Sequence, residues 1–166
     1  MSKPFVAILM GSESDLSIMQ SAEEVLSQLQ IEHEIKITSA HRTPGITQQY
    51  IRDAEERGCM IFIAAAGLAA HLAGATAAHT TKPVIGVPID AGPLNGFDAL
   101  LSTVQMPAGI PVATVAIGKT GAKNAAYLAA QILSLNDSEL AARVTSQRAA
   151  NAEKVKSQDH ALQASR

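Results

Sequence analysis

The sequence contains no tryptophan and few other aromatic residues. Aromatic residues make up 3% of the chain, whereas hydrophobic residues make up 47%. We therefore expect a core built from Ala, Ile, Leu, Val and Met. This hydrophobic content is typical of a packed globule and excludes a disordered chain. A chain of 166 residues is expected to form a single domain, spanning residues 1–166.

Cysteine is nearly absent as well. Cys59 stands alone, which excludes an intrachain disulfide and favours a reducing compartment. Its neighbours Gly58, Met60 and Ile61 favour a small buried core residue over a nucleophile. No apolar run approaches the roughly 20 residues that span a bilayer, and no signal-type segment opens the sequence. We expect a cytoplasmic protein with no membrane partner.

The sequence also lacks strong charge of one sign. Its formal net charge is −2 at pH 7, and no basic run stands out, so a nucleic-acid partner is not expected. Two of the histidines, His33 and His160, lie in polar surroundings typical of the surface. Neither His71 nor His79 has a second ligand-type residue at helical spacing. Because a metal site needs three or four convergent ligands, we expect no metal.

Short apolar runs alternate with longer amphipathic segments along the chain. The apolar runs predict strands over residues 5–10, 34–37, 59–64, 84–87 and 111–117. The amphipathic spacing predicts helices over residues 16–29, 46–57, 97–104 and 122–135, and a loop plus helix within 65–79. A more polar helix is expected from about 138 to about 157, followed by frayed final residues. This alternation predicts an α/β fold with a mainly parallel sheet and helices on both faces.

Three loops follow predicted strands: residues 11–15, the loop around His41 and the loop around Gly67. Parallel sheets bind ligands beyond the carboxyl ends of their strands. We therefore expect these loops to meet at one edge of the sheet.

The segment Ser39-Ala-His-Arg-Thr-Pro44 places an imidazole beside a fixed positive charge. The imidazole of His41 can take and give a proton near neutral pH, and the guanidinium of Arg42 can bind a phosphate through several hydrogen bonds. Thr43 is the expected N-cap and Pro44 the first residue of the next helix. The pattern favours a site that binds a phosphorylated small molecule and moves one of its protons. From spacing alone, a plain structural histidine remains the alternative.

The loop Gly11-Ser-Glu-Ser-Asp15 opens a predicted helix. The hydroxyls of Ser12 and Ser14 and the free backbone N–H groups suit an anion, and Asp15 can accept from a ribose diol. An ordinary N-cap cluster is an equal alternative. The G-x-G-x-x-G dinucleotide fingerprint is missing, and Ala113 stands where a P-loop preceding Lys119 needs glycine.

Several further segments keep a recognisable order and spacing over about residues 5–135. With the two loops above, they are Ala69-Ala-His-Leu72, Val84-Ile-Gly-Val-Pro88, Val104-Gln-Met-Pro107, Ile110-Pro-Val-Ala-Thr-Val-Ala-Ile-Gly118 and Gly121-Ala-Lys-Asn-Ala-Ala126. Together they resemble the PurE family, and specifically its class I members.

This resemblance implies a flavodoxin-like three-layer sandwich with a five-stranded sheet, assembled as a homo-octamer. The family isomerises N5-carboxyaminoimidazole ribonucleotide to the C4-carboxylate in purine biosynthesis, without a metal or cofactor. His41 stands at the family's acid–base position. The resemblance further implies substrate-binding positions at Ser12, Ser14, Asp15, Ser39, Arg42, Gly67, His71 and Leu72.

The chain departs from the usual class I loop after the third strand. Ala65 and Leu68 replace glycines and Ala73 replaces a proline. We expect the Leu68 side chain to narrow the carbon dioxide pocket or to displace the backbone that binds substrate. Arg42 still favours class I, because class II relatives typically carry lysine there. Two rival hypotheses are a carboxylase that uses free carbon dioxide and a non-catalytic nucleotide-binding homologue.

Overall fold

The computed structural model describes residues 4–166. The described strands are β1 (Phe5–Met10), β2 (His33–Ile37), β3 (Cys59–Gly67), β4 (Val84–Ile89) and β5 (Ala113–Thr114). The helices are α1 (Leu16–Gln28), α2 (Pro44–Glu56), α3 (Leu72–Ala77), α4 (Phe97–Val104), α5 (Gly118–Ser134) and α6 (Ser138–Ala164). All strand pairs are parallel, in the order β2-β1-β3-β4-β5. This is the flavodoxin-like order, which confirms the expected fold class.

The sheet is covered on both faces, and β1, an inner strand between β2 and β3, is buried along its whole length. Successive side chains of a strand point to opposite faces. Val6 and Ile8 therefore pack in one core with α1 and α5, whereas Ala7 and Leu9 pack in another with α2 and α3. Because each face is buried, the strand is apolar throughout rather than alternating with polar residues.

Alanine carries much of the packing that aromatic residues supply elsewhere. Helix α5 buries five alanines completely: Ala122, Ala125, Ala126, Ala129 and Ala130. Such short side chains let α5 lie close to its neighbours α1 and β4. The expectation of an aliphatic, alanine-rich core is confirmed.

Several element bounds differ from the sequence-based prediction. Strand β5 is confined to Ala113–Thr114 instead of residues 111–117, because it is an edge strand that pairs only with β4. Strand β3 extends to Gly67, since β4 pairs with it as far as Ile89. Helix α5 begins at Gly118 rather than near residue 122.

The expected fraying of the C-terminal segment is wrong, because α6 continues to Ala164. Its start is stabilised by Asp137, whose carboxylate accepts a hydrogen bond from the Leu140 backbone N–H at 2.9 Å. No glycine or proline interrupts residues 138–164. Near its end, Lys156 and Glu153 form an ion pair at 2.7 Å. These local features continue the helix although its last two turns are exposed.

A polar cluster ties β2 to α2, the elements that flank the His41 loop. Glu34 on β2 accepts from the Tyr50 hydroxyl at 2.5 Å and from two Arg57 nitrogens at 2.6 and 2.8 Å. The hydrogen bond from Arg57 is the main reason why the pKa of Glu34 lies below its ordinary value, and it outweighs the opposing effect of burial. The cluster therefore fastens α2 to β2, the helix and the strand that the His41 loop connects.

Gly121 is predicted to be essential for the close packing of the first turn of α5 against the preceding backbone at Ala116. A Cβ atom there would lie 1.6 Å from the Ala116 carbonyl oxygen, which is backbone and cannot rotate away. We expect Gly121→Ala to lower the free energy of unfolding by about 1–3 kcal/mol or more, measured by urea denaturation. The matched change Gly45→Ala in α2 meets nothing within 4 Å, and we expect it to be neutral or stabilising by about 0.5–1 kcal/mol. Equal stability of the two variants would contradict this account.

Candidate active site

The loops after β1, β2 and β3 surround a cavity of about 440 Å³, which we call the carboxyl-edge cavity. It lies where the strand order reverses between β1 and β3, the usual ligand position in this fold. Every site residue named from the sequence lines it: Ser12, Ser14, Asp15, Ser39, His41, Arg42, Gly67, His71 and Leu72.

The loop after β1 forms a short 3₁₀ turn over Glu13–Asp15 before α1 begins. The Ser12 hydroxyl caps this turn by accepting from the Ser14 backbone N–H at 3.3 Å. Asp15 stands at the N-cap position of α1, yet its side chain makes no cap hydrogen bond. The N-cap interpretation therefore holds for Ser12 and fails for Asp15.

The Asp15 carboxyl group is nearly buried at the wall of the carboxyl-edge cavity, with 8% of the residue exposed. Burial raises the pKa of Asp15 above its ordinary value, and a hydrogen bond from the Ser14 hydroxyl at 3.2 Å opposes that shift. A carboxylate held here at a cost in solvation is suited to accept hydrogen bonds from a ligand hydroxyl.

Arg42 bridges the first two loops. Its Nη2 donates to the Gly11 carbonyl at 2.6 Å, and its Nε donates to the Ser39 hydroxyl at 3.4 Å. A guanidinium carries five N–H donors. These two bonds orient the group while leaving further donors exposed at the cavity. The arrangement is suited to bind a phosphate.

Threonine hydroxyls hold the β2–α2 loop in shape. Thr43 stands at the predicted N-cap position and Pro44 opens α2, but the Thr43 hydroxyl makes no cap hydrogen bond. It instead accepts from the Ser39 backbone N–H at 2.9 Å. Buried Thr38 and Thr47 are joined through their hydroxyls at 2.6 Å. These hydrogen bonds within the loop fix its backbone, and they therefore orient His41 and Arg42 at its tip.

The two histidines from different loops meet across the carboxyl-edge cavity. His41 Nε2 lies 2.6 Å from His71 Nδ1, with the rings edge to face at 85° and their centroids 4.8 Å apart. A hydrogen bond between imidazoles needs one N–H and one lone pair. Each ring therefore sets the tautomer of the other and restricts its rotation.

The third wall of the carboxyl-edge cavity is the β3–α3 loop. A Cβ atom on Gly67 would lie 2.8 Å from the Ala91 Cβ, so glycine allows the β4–α4 loop to approach closely. Ala91 itself lines the cavity together with Ala40, Ala66 and Ala69. The sequence did not indicate these alanines, because a methyl group carries no chemical signal of a site.

The three departures from the family loop fall in different environments. Ala65 in β3 and Ala73 in α3 are buried in the core. Leu68 lines the cavity with 51% of the residue exposed, and its backbone is left-handed, with φ of 55°. Its Cδ2 lies 2.5 Å from the position of a Cβ on Gly92, so the side chain covers that glycine of the β4–α4 loop. Leu68 thus holds a strained, glycine-favouring conformation at the cavity mouth.

The single cysteine lies outside the carboxyl-edge cavity. Cys59 is buried, and burial raises the pKa of its thiol to about 11, which is typical of an inert core cysteine. Within residues 4–166 no three His, Cys, Asp or Glu side chains converge on a possible metal position. Over the same residues, no helix combines the length and apolar character needed to cross a membrane.

Sequence comparison identifies relatives over nearly the whole chain. A family model described as AIR carboxylase matches residues 5–154. The N5-carboxyaminoimidazole ribonucleotide mutase of Bacillus subtilis is 54% identical over 146 residues, which cover 88% of this chain and 90% of that protein. The Escherichia coli K12 protein of the same name is 51% identical over 150 residues, or 90% of this chain and 89% of that protein.

Comparison of the folds agrees with the sequence matches. The crystal structure of Treponema denticola PurE superposes with a TM-score of 0.86 at 34% sequence identity, covering 96% of this chain and 99% of that one. A single-substitution variant of Treponema denticola PurE2 gives a TM-score of 0.87 at 34% identity, covering 98% of this chain and 99% of that one. The chain therefore belongs to the AIR carboxylase (PurE) family.

Proposed function

We propose that the protein is an isomerase that converts N5-carboxyaminoimidazole ribonucleotide to 4-carboxy-5-aminoimidazole ribonucleotide in purine biosynthesis. One observation carries the proposal: the Arg42 guanidinium, the serine hydroxyls of two loops and a hydrogen-bonded histidine pair share a single cavity. Relatives named as this mutase are 51% to 57% identical over most of the chain. A cavity of about 440 Å³ also falls within the range of small-ligand sites.

The loops after β1 and β2 would bind the ribose phosphate. The Arg42 guanidinium and the hydroxyls of Ser12, Ser14 and Ser39 supply donors for phosphate oxygens along one side of the cavity. The buried Asp15 carboxylate would accept a hydrogen bond from a ribose hydroxyl. A charged hydrogen bond of the Arg42 type contributes about 1.5–3 kcal/mol.

His41 would carry the proton transfers. Protonation of the carbamate nitrogen as its bond to the carboxyl carbon breaks releases carbon dioxide and leaves an electron-rich ring. Carbon 4 of the ring then attacks the carbon dioxide, and removal of its proton restores aromaticity. One imidazole can donate the first proton and accept the second, and positioned acid–base catalysis typically contributes about 10²–10⁴-fold.

The β3–α3 loop would keep the carbon dioxide beside the ring between the two steps. Gly67, Leu68, His71 and Leu72 form the wall opposite the phosphate donors. Retention in this cavity would make the second step effectively intramolecular. His71 also holds His41 in one orientation through their hydrogen bond.

The protein would act as a homo-octamer in the cytoplasm, without a metal, a cofactor, a nucleic-acid partner or a membrane partner. Exposed apolar side chains support assembly: Leu94 lies before α4, and Phe97, Leu101 and Val104 recur at the spacing of one helix face along it. Contiguous exposed apolar surface of this kind is typical of subunit interfaces. The buried free thiol of Cys59 suits a reducing compartment.

A carboxylase that uses free carbon dioxide is the second candidate, because the matching family model is itself described as AIR carboxylase. A direct assay separates the two reactions. We expect the purified protein to convert the carbamate nucleotide to the C4-carboxylate without added bicarbonate, and to use aminoimidazole ribonucleotide with bicarbonate far less efficiently. A preference for the second pair of substrates would establish the carboxylase, and no turnover of either would establish a non-catalytic nucleotide-binding protein.

Replacing His41 tests the proton transfer. We expect His41→Asn to bind the ribonucleotide with nearly unchanged affinity but to lose about 10²–10⁴-fold in kcat, since the amide cannot shuttle a proton. Binding is measured by calorimetry and turnover by the carbamate assay. His160→Asn, on the exposed part of α6, is the matched control and should behave as the wild type. Near-normal turnover of His41→Asn would rule out the assigned role.

Asp15 tests whether the loop after β1 is functional or structural. Because burial raises its pKa in the folded state, ionised Asp15 costs stability, and this cost appears as the pH rises through the unfolded and then the folded pKa. We expect Asp15→Asn to raise Tm at pH 7 relative to the wild type, an advantage that disappears in acid. It should also raise KM by about tenfold, through the lost charged hydrogen bond.

The exposed Asp159 on α6 provides the matched control for Asp15. Asp159→Asn should change neither Tm nor KM, since that carboxylate is solvated. A lower Tm for Asp15→Asn at pH 7, with KM unchanged, would identify Asp15 as a structural residue.

A further inference from the structure

A second and larger cavity lies on the other edge of the sheet. Its volume is about 920 Å³, and we call it the amino-edge cavity. It is lined by one face of α2, by residues 77–84, by residues 109–111 and by Ala113. These segments lead into the first residues of β4 and β5. Because all strands are parallel, this edge lies opposite the carboxyl-edge cavity.

The polar side chains of the amino-edge cavity carry a surplus of positive charge. Arg52, His79 and Lys82 line it, and Glu55 is its single acidic residue. The Glu55 carboxylate is engaged by the Thr80 hydroxyl, which donates to it. Among residues 4–166, no carboxylate forms an ion pair with Arg52 or Lys82. Arg52 and Lys82 therefore keep cationic donors that no carboxylate of the described residues occupies.

Local hydrogen bonds hold Lys82 and Arg52 at the cavity. The Thr80 hydroxyl accepts from the Lys82 backbone N–H at 3.0 Å, which closes a tight turn, and Lys82 is partly buried. Arg52 donates through Nη2 to the Gln49 amide oxygen at 2.9 Å, one helical turn back. That contact occupies one of the five N–H donors of the guanidinium and restricts its rotation, and the other donors remain available at the cavity.

Gln48, Thr80 and Thr81 add uncharged polar groups to the lining. The remaining side chains are apolar: Ala77, Ala78, Pro83, Val84, Ile110, Pro111 and Ala113. A site with an apolar wall and a few cationic donors is typical of pockets for organic anions. Inorganic phosphate would leave the apolar wall uncovered, whereas a nucleoside monophosphate would use both parts.

We propose that the amino-edge cavity is a second ligand site, which binds a nucleoside monophosphate or a phosphate monoester of similar size. Arg52 and Lys82 hold the phosphate through charged hydrogen bonds, and the base packs against the Ile110–Pro111 side. The site is separate from the catalytic loops and does not depend on the reaction assigned to them.

The test counts binding sites with AMP as the probe, by equilibrium dialysis on the assembled protein. Arg42→Ala weakens phosphate binding at the carboxyl-edge cavity, so this variant isolates the second site. We expect one AMP per chain to remain bound, and binding to weaken about tenfold or more when Arg52→Gln or Lys82→Met is added. Adenosine and inorganic phosphate, tested separately, should each bind more weakly than AMP. Lys123→Met, at an exposed position on α5, is the control and should have no effect.

Loss of all AMP binding in Arg42→Ala would overturn the proposal, as would residual binding that neither Arg52→Gln nor Lys82→Met weakens. A crystal of Arg42→Ala grown with AMP gives a test that does not depend on the folding of the further variants. Density for the nucleotide between Arg52 and Lys82 supports the site. An empty amino-edge cavity rejects it.

Discussion

The parallel pairing of β1 with both β2 and β3 is the constraint on which the rest of the structure depends. Val6 to Met10 pair with residues 33–37 on one side, and residues of β3 pair on the other. Parallel pairing ends all three strands at the same edge, so the loops that follow them meet. Burial of β1 on both faces sets this register firmly, since a slip by one residue would exchange its two cores. The site is thus a consequence of sheet packing.

Once the loops are adjacent, a few polar contacts convert them into one site. Arg42 reaches from the second loop to the Gly11 carbonyl of the first, and His41 reaches to His71 of the third. Both residues stand side by side at the tip of the β2–α2 loop, which threonine hydroxyls and the Glu34 cluster keep in place. A change in this one loop would therefore disturb the contacts of Arg42 and His41 together. The stability of the loop and the chemistry of the site are coupled.

The two edges of the sheet differ in what holds their polar groups. At the carboxyl edge, side chains from distant loops bond to one another, and the buried Asp15 carboxylate is kept at a cost in solvation. At the amino edge, Arg52 and Lys82 make only local contacts and no ion pair within residues 4–166. The first arrangement is held in place by contacts between the loops themselves. The second leaves cationic donors to which an anionic ligand can bind.

The sequence by itself determined the fold class and the polar residues that the loops bring to the carboxyl-edge cavity. Strongly apolar β1 and the periodic helices α1 and α4 matched their predicted starts, because local patterns dominate there. Weaker elements needed tertiary information: β5 is short because only one neighbour pairs with it, and β3 is long because β4 extends it. Only the tertiary structure decided that Asp15 does not cap α1, that His41 and His71 share a hydrogen bond, and that Leu68 covers Gly92. Those facts depend on distances between segments remote in the chain, and residue patterns along one segment carry no such distances.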